Sequence, residues 1–156
     1  MITSIFIDTA NLYKSAKRKY GKKIDYKKLL TLLPETSFKR AYGIRATIES
    51  RSFIDVLKSY GFVTTFIKKG TNLNVDITLD VCKLISKLEH VVLVTNDRDI
   101  YPLVKHCRDS GIVVSIYGID LPIELNGTEI TEEILLEPSK NEYNEHLPVD
   151  IVCDGS

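Results

Sequence analysis

Cysteine is scarce in this chain of 156 residues, and its three copies lie far apart. Cys82, Cys107 and Cys153 form no CxxC or CxxH pair, so their spacing indicates neither a zinc site nor a disulfide framework. We interpret Cys82 and Cys107 as small apolar residues on helix faces. The fold must therefore rest on a hydrophobic core, for which an apolar content of 44% is sufficient.

Long apolar runs are also missing, since the longest ones have the length of a strand. The amino terminus has no basic region ahead of an apolar run, which argues against a signal peptide, and no run is long enough to span a membrane. We therefore expect one cytoplasmic domain with no membrane partner. Its charged fraction of 27% is ordinary for a soluble protein.

The chain has no net charge, but its two halves differ strongly. Residues 1–70 hold 15 Lys or Arg against 5 Asp or Glu, and residues 71–156 hold 6 against 16. The basic excess is densest in residues 13–28, where three tyrosines alternate with eight cationic residues. Cations and stackable rings together suit the backbone and bases of a nucleic acid. A solvated helix face whose tyrosines cover the core is the alternative.

Apolar runs alternate with amphipathic ones along the chain. The pattern predicts strands at residues 4–8, 39–47, 62–70, 90–97 and 112–119. It predicts helices at residues 25–33, 49–61, 75–89 and 100–111, with Asp25 as an N-cap, Gly61 just past a helix end and Pro102 in a first turn. Such alternation implies right-handed crossovers and a three-layer α/β sandwich around a mostly parallel five-stranded sheet.

Acidic residues close two of the predicted strands. Asp8 ends the first strand and Asp97 ends the fourth. In open parallel sheets ligands bind beyond the carboxyl ends of the strands, where strand order reverses, so these side chains face each other if their strands are central neighbours. Adjacent carboxylates repel unless a cation neutralises them, and hard divalent cations take oxygen ligands. The sequence therefore predicts a site for Mg²⁺ or Mn²⁺.

Other polar residues extend this candidate site. Asp76 and Asp80 lie four positions apart near the start of a predicted helix, on one face, where the helix dipole favours negative charge. Helix acids that face water are the alternative for this pair. Asp99 joins the metal site, caps the following helix, or does both. Asn11 either orients a water or a phosphate oxygen, or makes a structural turn bond.

Three motifs resemble those of the NYN domains, a branch of the PIN-like nucleases. They are FIDTANL (6–12), KKGTNLNVDITLDV (68–81) and LVTNDRDIYPLV (93–104), the last followed by the strand GIVVSIYG. The resemblance implies a PIN-like fold over residues 1–136 and an endoribonuclease that hydrolyses phosphodiester bonds of single-stranded or structured RNA with Mg²⁺ or Mn²⁺. It implies as catalytic residues Asp8, Asp76, Asp97, Asp99 and Asn11. The implied metal ligands are Asp8, Asp76, Asp80, Asp97 and Asp99.

The chain departs from the family pattern at several places. Extra residues lie between Gly70 and Asp76, and Asn96 stands where glycine is usual, a mild change because Asn also tolerates a left-handed backbone. Thr9 stands where glycine is usual, which predicts a narrower approach for phosphate, and the second helical acid of the family falls at Cys82, two positions beyond Asp80. These departures keep open a catalytically weak or inactive RNA-binding or interaction module of the same fold. A haloacid-dehalogenase-like phosphatase is disfavoured, because its second acid would fall at Ala10.

An acidic crevice repels a phosphate chain, so a nuclease needs cations beside it. We predict RNA contacts from a set of cations and two stacking tyrosines: Lys14, Lys17, Arg18, Lys19, Lys68, Lys69, Tyr13 and Tyr20. The oligomeric state stays open, with a homodimer as one option. Residues 137–156 are predicted to form an acidic, loosely ordered tail in which LPVDIV is a candidate docked strand.

Overall fold

The computed structural model describes residues 2–136. Its strands are β1 (Thr3–Asp8), β2 (Lys23–Ile24), β3 (Phe38–Ile44), β4 (Phe62–Phe66), β5 (His90–Val94), β6 (Val113–Gly118), β7 (Thr128–Glu129) and β8 (Leu135–Leu136). Its α-helices are α1 (Thr9–Tyr20), α2 (Tyr26–Leu32), α3 (Arg51–Ser59), α4 (Leu73–Leu84) and α5 (Tyr101–Asp109). The predicted tail, with Cys153 and LPVDIV, lies outside the described residues.

Six of these strands form one parallel sheet in the order β4-β3-β1-β5-β6-β7. The central strand β1 pairs with β3 on one side and with β5 on the other, so that Ile5 lies beside both Lys39 and Val92. The predicted mostly parallel α/β sheet is confirmed, with the two-residue edge strand β7 as an addition. Strands β2 and β8 form a separate antiparallel pair.

The hydrophobic core lies in two layers, one on each face of the sheet. Along β1, Ile5 and Ile7 face the layer covered by α1, α2 and α3, whereas Phe6 faces the layer covered by α4 and α5. This division follows from the two-residue period of a strand, which turns successive side chains to opposite faces. A run that is apolar at every position, such as residues 91–94 of β5, is therefore buried on both sides.

Helix ends follow the sequence signals in most places. The Asp25 side chain accepts the backbone N–H groups of Lys27 and Lys28, so its predicted role as the N-cap of α2 is confirmed. Gly61, with φ of 87°, follows the end of α3, and Pro102 lies in the first turn of α5. Helix α1 covers the first part of residues 13–28, for which a helix face with tyrosines on the core is the alternative interpretation, and its Tyr13 is buried.

Two further sequence expectations concern the cysteines and the membrane. Cys82 and Cys107 are both free, with Cys107 buried in α5 and Cys82 partly buried on α4. Burial raises the pKa of the Cys107 thiol to about 11, which fits its interpretation as an apolar core residue. Across residues 2–136, none of the helices combines the length and the apolar character that a membrane crossing requires.

Candidate active site

Asp8 and Asp97 meet at the carboxyl ends of the two central strands. Asp8 is the last residue of β1 and is 6% exposed, and Asp97 follows the end of β5 by three residues. Burial raises the pKa of the Asp8 carboxyl to about 7, and the negative charge of Asp97 contributes to the rise. Strand β3 lies on one side of β1 and β5 lies on the other, so strand order reverses here. The two aspartates therefore lie at the switch point of the sheet.

Asp8 is fixed from two directions. Its side chain is the N-cap of α1 and accepts the backbone N–H of Asn11 at 2.9 Å. On the other side β3 passes at Gly43, whose φ is +82°. A Cβ at this position would lie 2.7 Å from the Cβ of Ala10 and 3.2 Å from Asp8 Oδ1. A residue with a side chain therefore cannot occupy position 43 without displacing the carboxylate or the helix start.

Asp97 is held through both of its carboxylate oxygens. Oδ1 accepts the backbone N–H of Asp99, and Oδ2 accepts Nδ2 of Asn74, each at 2.9 Å. Asp97 is therefore the N-cap of a short 3-10 helix, Arg98–Ile100, that leads into α5. The prediction that Asp99 caps this helix is wrong, because the helical segment begins at Arg98, two residues earlier than expected, and the Asp99 side chain is exposed.

An amide pair joins α1 to the turn after β5. Asn11 Oδ1 accepts the backbone N–H of Asn96 at 3.0 Å, and Asn11 Nδ2 donates to Asn96 Oδ1 at 2.7 Å. Asn96 Nδ2 in turn donates to Ser15 Oγ and to the carbonyl oxygen of Ile119. The Asn11 amide thus bonds to another element of the fold and not within its own turn, and it links the two segments that carry the aspartates.

The acids of α4 have partners of their own. Asp80 Oδ2 accepts the hydroxyl of Tyr42 at 2.7 Å and lies 3.4 Å from a guanidinium nitrogen of Arg40. Burial, together with this bond to Asp80, raises the pKa of Tyr42. Asp76 Oδ2 accepts the hydroxyl of Thr71 at 3.2 Å. Both acids therefore accept hydroxyl groups of neighbouring side chains.

The predicted five-acid set is not assembled as one cluster. Among the side chains of residues 2–136, no group of three or more His, Cys, Asp or Glu lies close enough to hold a metal ion. Asp8 and Asp97 come together, whereas Asp76, Asp80 and Asp99 do not join them as a group. The residue of α4 that reaches Asp97 is Asn74, which the sequence pattern did not single out.

One predicted cation stands beside the acids and two stand farther away. The charge of Lys14, half-buried in the middle of α1, acts on Asp8 and opposes the rise of its pKa. Lys17 and Arg18 are exposed in the last turn of α1. At 1.5 Å of rise per residue they lie about 14 Å along the helix from its capped end. Among these three cations of α1, Lys14 is the one whose charge acts on Asp8.

The remaining predicted cations differ in their pairing. Lys19 donates to Asp120 at 2.6 Å and lies 3.6 Å from Glu129, so its charge is largely neutralised by the acidic segment. Lys68 and Lys69 are exposed ahead of α4. They are therefore placed on the same side of the sheet as the carboxyl ends of the strands, where α4 begins.

Two side chains on α1 correct the sequence interpretation. Tyr13 is 5% exposed and belongs to the core, so base stacking is not available to it, while Tyr20 is partly buried against the same core. Thr9 is 1% exposed, and its hydroxyl donates to the carbonyl oxygen of Tyr42. The expected narrowing by Thr9 is therefore wrong, because that side chain is enclosed between α1 and β3.

The fold and the crevice together define the class of protein. It is a parallel α/β sandwich with two aspartates at the point where strand order reverses. The NYN domain model matches residues 2–133, so the chain belongs to the NYN domain family. Its motif resemblance is thereby confirmed. The family has a PIN-like nuclease fold, and its members are generally nucleases.

A solved structure supports the fold independently. It is a crystal structure of a protein of unknown function from Vibrio parahaemolyticus RIMD 2210633, with a TM-score of 0.78 and 22% sequence identity. The match covers 86% of this chain and 95% of that chain. At this identity the likeness shows the fold alone. Among proteins of curated function, none matches the chain.

Proposed function

We propose that the protein is a divalent-metal-dependent ribonuclease that hydrolyses phosphodiester bonds in the crevice between β1 and β5. The observation that carries this proposal is the Asp8–Asp97 pair at the switch point, with the pKa of Asp8 raised to about 7 by burial and by Asp97. A buried acid beside another acid is unfavourable for stability, and such perturbed groups concentrate at functional sites.

The chemistry of this pair fits Mg²⁺ or Mn²⁺. Magnesium is commonly held by one or two carboxylates, several waters and the phosphates of its substrate. Asp8 and Asp97 supply two carboxylates that are already oriented by backbone N–H groups of Asn11 and Asp99. A divalent cation between them would also remove the repulsion that raises the pKa of Asp8.

The residues of the crevice would have different roles in hydrolysis. A bound divalent ion supplies a more acidic water and stabilises negative charge on the scissile phosphate. Asp8 and Asp97 would hold it, and the bonds from Asn11 and Asp99 would keep both carboxylates in place. Lys14 would attract the phosphate next to the site. Hydrolysis in this scheme needs no side-chain nucleophile.

RNA is the substrate class that the family and the charge distribution favour. Residues 1–70 carry 15 Lys or Arg against 5 Asp or Glu, and Lys17, Arg18, Lys68 and Lys69 are exposed. A chain of phosphates is attracted to such a surface by counterion release. We propose an endoribonuclease acting in the cytoplasm, as a monomer or a homodimer.

A second candidate is a non-catalytic RNA-binding or interaction module of the same fold. It is favoured by the absence, among residues 2–136, of a cluster of three metal-binding side chains. The hydrogen bonds of Asp76 to Thr71 and of Asp80 to Tyr42 also favour this candidate. This candidate predicts RNA binding that no divalent ion converts into cleavage.

A cleavage assay separates the two candidates. Labelled RNA and labelled DNA are incubated with the protein in chelator, in Mg²⁺ and in Mn²⁺. We expect RNA cleavage that needs the cation, that Asp97→Asn removes, and that the matched surface variant Asp109→Asn retains. Asp109 is exposed at the end of α5, where it pairs with Lys105. RNA that is bound but stays intact in every condition would establish the non-catalytic module instead.

A further inference from the structure

We propose that two copies of this chain associate through the outer edge of β4, by antiparallel pairing of their β4 strands about Thr64. The inference goes beyond the proposed function, because it names a surface and a partner and depends on neither metal nor RNA. It starts from the position of β4, which is the last strand on its side of the sheet and pairs with β3 alone among residues 2–136.

The two edges of the sheet differ in how they are protected. Unpaired backbone N–H and C=O groups at a sheet edge are a template for another chain, and proteins commonly shorten, charge or bend such strands. At one edge β7 has only two residues, and one of them is Glu129. At the other edge β4 has five residues, Phe62–Phe66, with neither a charge nor a proline. Strand β4 therefore lacks two of the usual protections.

Strand β4 is also regular and only partly covered. Between its pairs with Thr64 and Phe66, β3 advances from Ala41 to Ile44, so the extra residue of this irregularity lies in β3 and not in β4. Val63 and Phe66 are each 44% exposed. An exposed apolar strand at a sheet edge favours association with a further strand that covers it.

The sequence of β4 is complementary to itself in the antiparallel direction. Alignment of FVTTF about its centre places Phe62 opposite Phe66, Val63 opposite Thr65, and Thr64 opposite Thr64 of the other copy. Aromatic pairs and threonine pairs are among the cross-strand pairs that stabilise antiparallel strands. A two-fold interface uses the same patch on both copies and therefore requires such self-complementarity. A second copy of the chain is thus the partner that this edge fits.

The charges beyond the ends of β4 are compatible with this alignment. Like charges directly opposite each other would destabilise a strand pair. The same register places each flanking lysine opposite an uncharged residue of the other copy: Lys58 opposite Gly70, Lys68 opposite Tyr60 and Lys69 opposite Ser59. The lysines therefore limit the length of the pairing without opposing it directly.

Antiparallel pairing of β4 also determines where the two crevices lie. All neighbouring strands of the six-stranded sheet are parallel. Reversal of one copy therefore turns the carboxyl ends of its strands, with its Asp8, to the opposite side of the joined sheet. In each copy β3 separates β1 from β4 and hence from the interface. Association through β4 thus leaves both crevices open and can be tested separately from cleavage.

Molecular mass in solution tests the proposal. The full chain and its variants are sedimented at concentrations across the micromolar range, and melting curves show that each variant is folded. Wild type should form dimers. Val63→Lys and Thr65→Lys should each raise the dissociation constant about 10-fold or more, because a favourable pair is lost twice in a two-fold dimer. If Val63→Lys folds poorly, Thr65→Lys decides.

Two matched controls place the same charge elsewhere. Val113→Lys on β6 and Leu79→Lys on α4 replace apolar side chains that are 57% and 54% exposed. Both variants should dimerise as wild type does, because neither residue lies on β4. Dissociation in these controls would mean that added charge alone separates the copies.

A charge pair tests the register. In the proposed alignment, position 63 of one copy lies opposite position 65 of the other. Val63→Lys mixed with Thr65→Glu should therefore form a heterodimer more readily than either variant forms a homodimer, because opposite charges on facing strand positions attract. Native mass spectrometry separates the three species. Thr65→Glu mixed with Val113→Lys is the control and should show no such preference.

Four results would overturn the inference. Wild type that stays monomeric across the micromolar range would exclude the dimer. A dimer that the β4 variants leave intact, or that Leu79→Lys dissociates in their place, would exclude β4 as the interface. A dimer that the β4 variants dissociate, without the preferred heterodimer, would exclude the alignment about Thr64. None of these measurements involves RNA or metal, so failure of the proposed ribonuclease would leave them unchanged.

Discussion

Two pairs of aspartates in this protein differ in what holds them. Asp8 and Asp97 lie at the ends of neighbouring strands and accept backbone N–H groups, and the charge of Asp97 adds to the effect of burial in raising the pKa of Asp8. Asp76 and Asp80 lie one helical turn apart on α4 and accept side-chain groups of Thr71, Tyr42 and Arg40. Within residues 2–136 no cationic side chain is bonded to the first pair, whereas side chains of neighbouring residues bond to the second.

The difference shows how far a position in the sequence determines a position in space. The end of a parallel strand is fixed by the register of the sheet, so two acids that close adjacent strands must meet. An acid on a helix faces whichever direction the packing of the helix imposes. Four-residue spacing puts Asp76 and Asp80 on one face of the helix, but it does not determine which residues pack against that face.

Loss of cleavage is the largest expected difference between the pairs. Asp97→Asn should reduce RNA hydrolysis below detection, because the carboxylate would hold the metal directly. Asp80→Asn should reduce it at most about 10- to 100-fold, the range for groups that act through a ligand. Initial rates in Mn²⁺ measure both. Full activity of Asp97→Asn would show that the crevice is not the active site.

The second expected difference is in stability without metal. The pKa of Asp8 is about 7 in the fold against an ordinary value of 3.8, so the folded state binds a proton more tightly than the unfolded state. Stability is then lost as pH rises from about 4 to about 7, by on the order of 4 kcal/mol in total. Asp8→Asn keeps an oxygen to cap α1 and removes the charge, so it should stabilise the metal-free protein by a comparable amount above pH 7.

Denaturation across this pH range measures the effect. The gain from Asp8→Asn should vanish below about pH 4, where Asp8 is protonated in both states. Asp25→Asn is the matched control, because Asp25 also caps a helix but is partly exposed. A gain in Asp25→Asn as large as that in Asp8→Asn would point to capping rather than to buried charge.

Stabilisation by metal is the third way to compare the pairs. Mn²⁺ that binds the folded state alone should stabilise wild type by about 2.7 kcal/mol at a concentration 100 times its Kd. The double variant Asp8→Asn, Asp97→Asn should lose this gain, and Asp76→Asn, Asp80→Asn should keep most of it. Melting curves at increasing Mn²⁺ provide the measurement. Equal losses in the two double variants would remove the distinction between the pairs.

The smallest expected effect concerns the cations on α1. Lys14→Ala should remove about one phosphate contact. The slope of log affinity against log salt concentration should then become less steep by about 0.7 for single-stranded RNA. Lys14→Ala should also slow cleavage, because the charge of Lys14 acts on Asp8. The double variant Lys17→Ala, Arg18→Ala should also make this slope less steep, but it should not slow cleavage at saturating RNA. Binding titrations at several salt concentrations in chelator test this, and an unchanged slope in all variants would place the RNA elsewhere.

The strands and the aspartate pair could be predicted from sequence because their signals are local. An apolar run that ends in an acid marks both a buried strand and a candidate ligand, as at Ile7–Asp8. Asp25 and Gly61 marked helix ends for the same reason, since capping needs only nearby atoms. The fold class followed from the alternation of these elements.

The residues that sequence reasoning missed depend on how elements pack. Tyr13 was expected to contact RNA, but the rotation of α1 on the sheet turns it into the core. Asn74 carries no charge and belongs to no repeating pattern, so nothing in the sequence indicates that it meets Asp97. The Asn96 side chain donates to Ser15 and to the carbonyl oxygen of Ile119, which are distant in sequence, so its role also depends on packing.

The bonds between Asn11 and Asn96 join positions that are 85 residues apart. Strand β5, which brings Asn96 and Asp97 to β1, is made only after β3, β4 and α4 have been synthesised. A nascent chain that ends before β5 therefore carries Asp8 and the basic residues but no crevice. Pairings so distant in sequence form late and slowly during folding. We expect any cleaving activity to be withheld until most of the domain has left the ribosome.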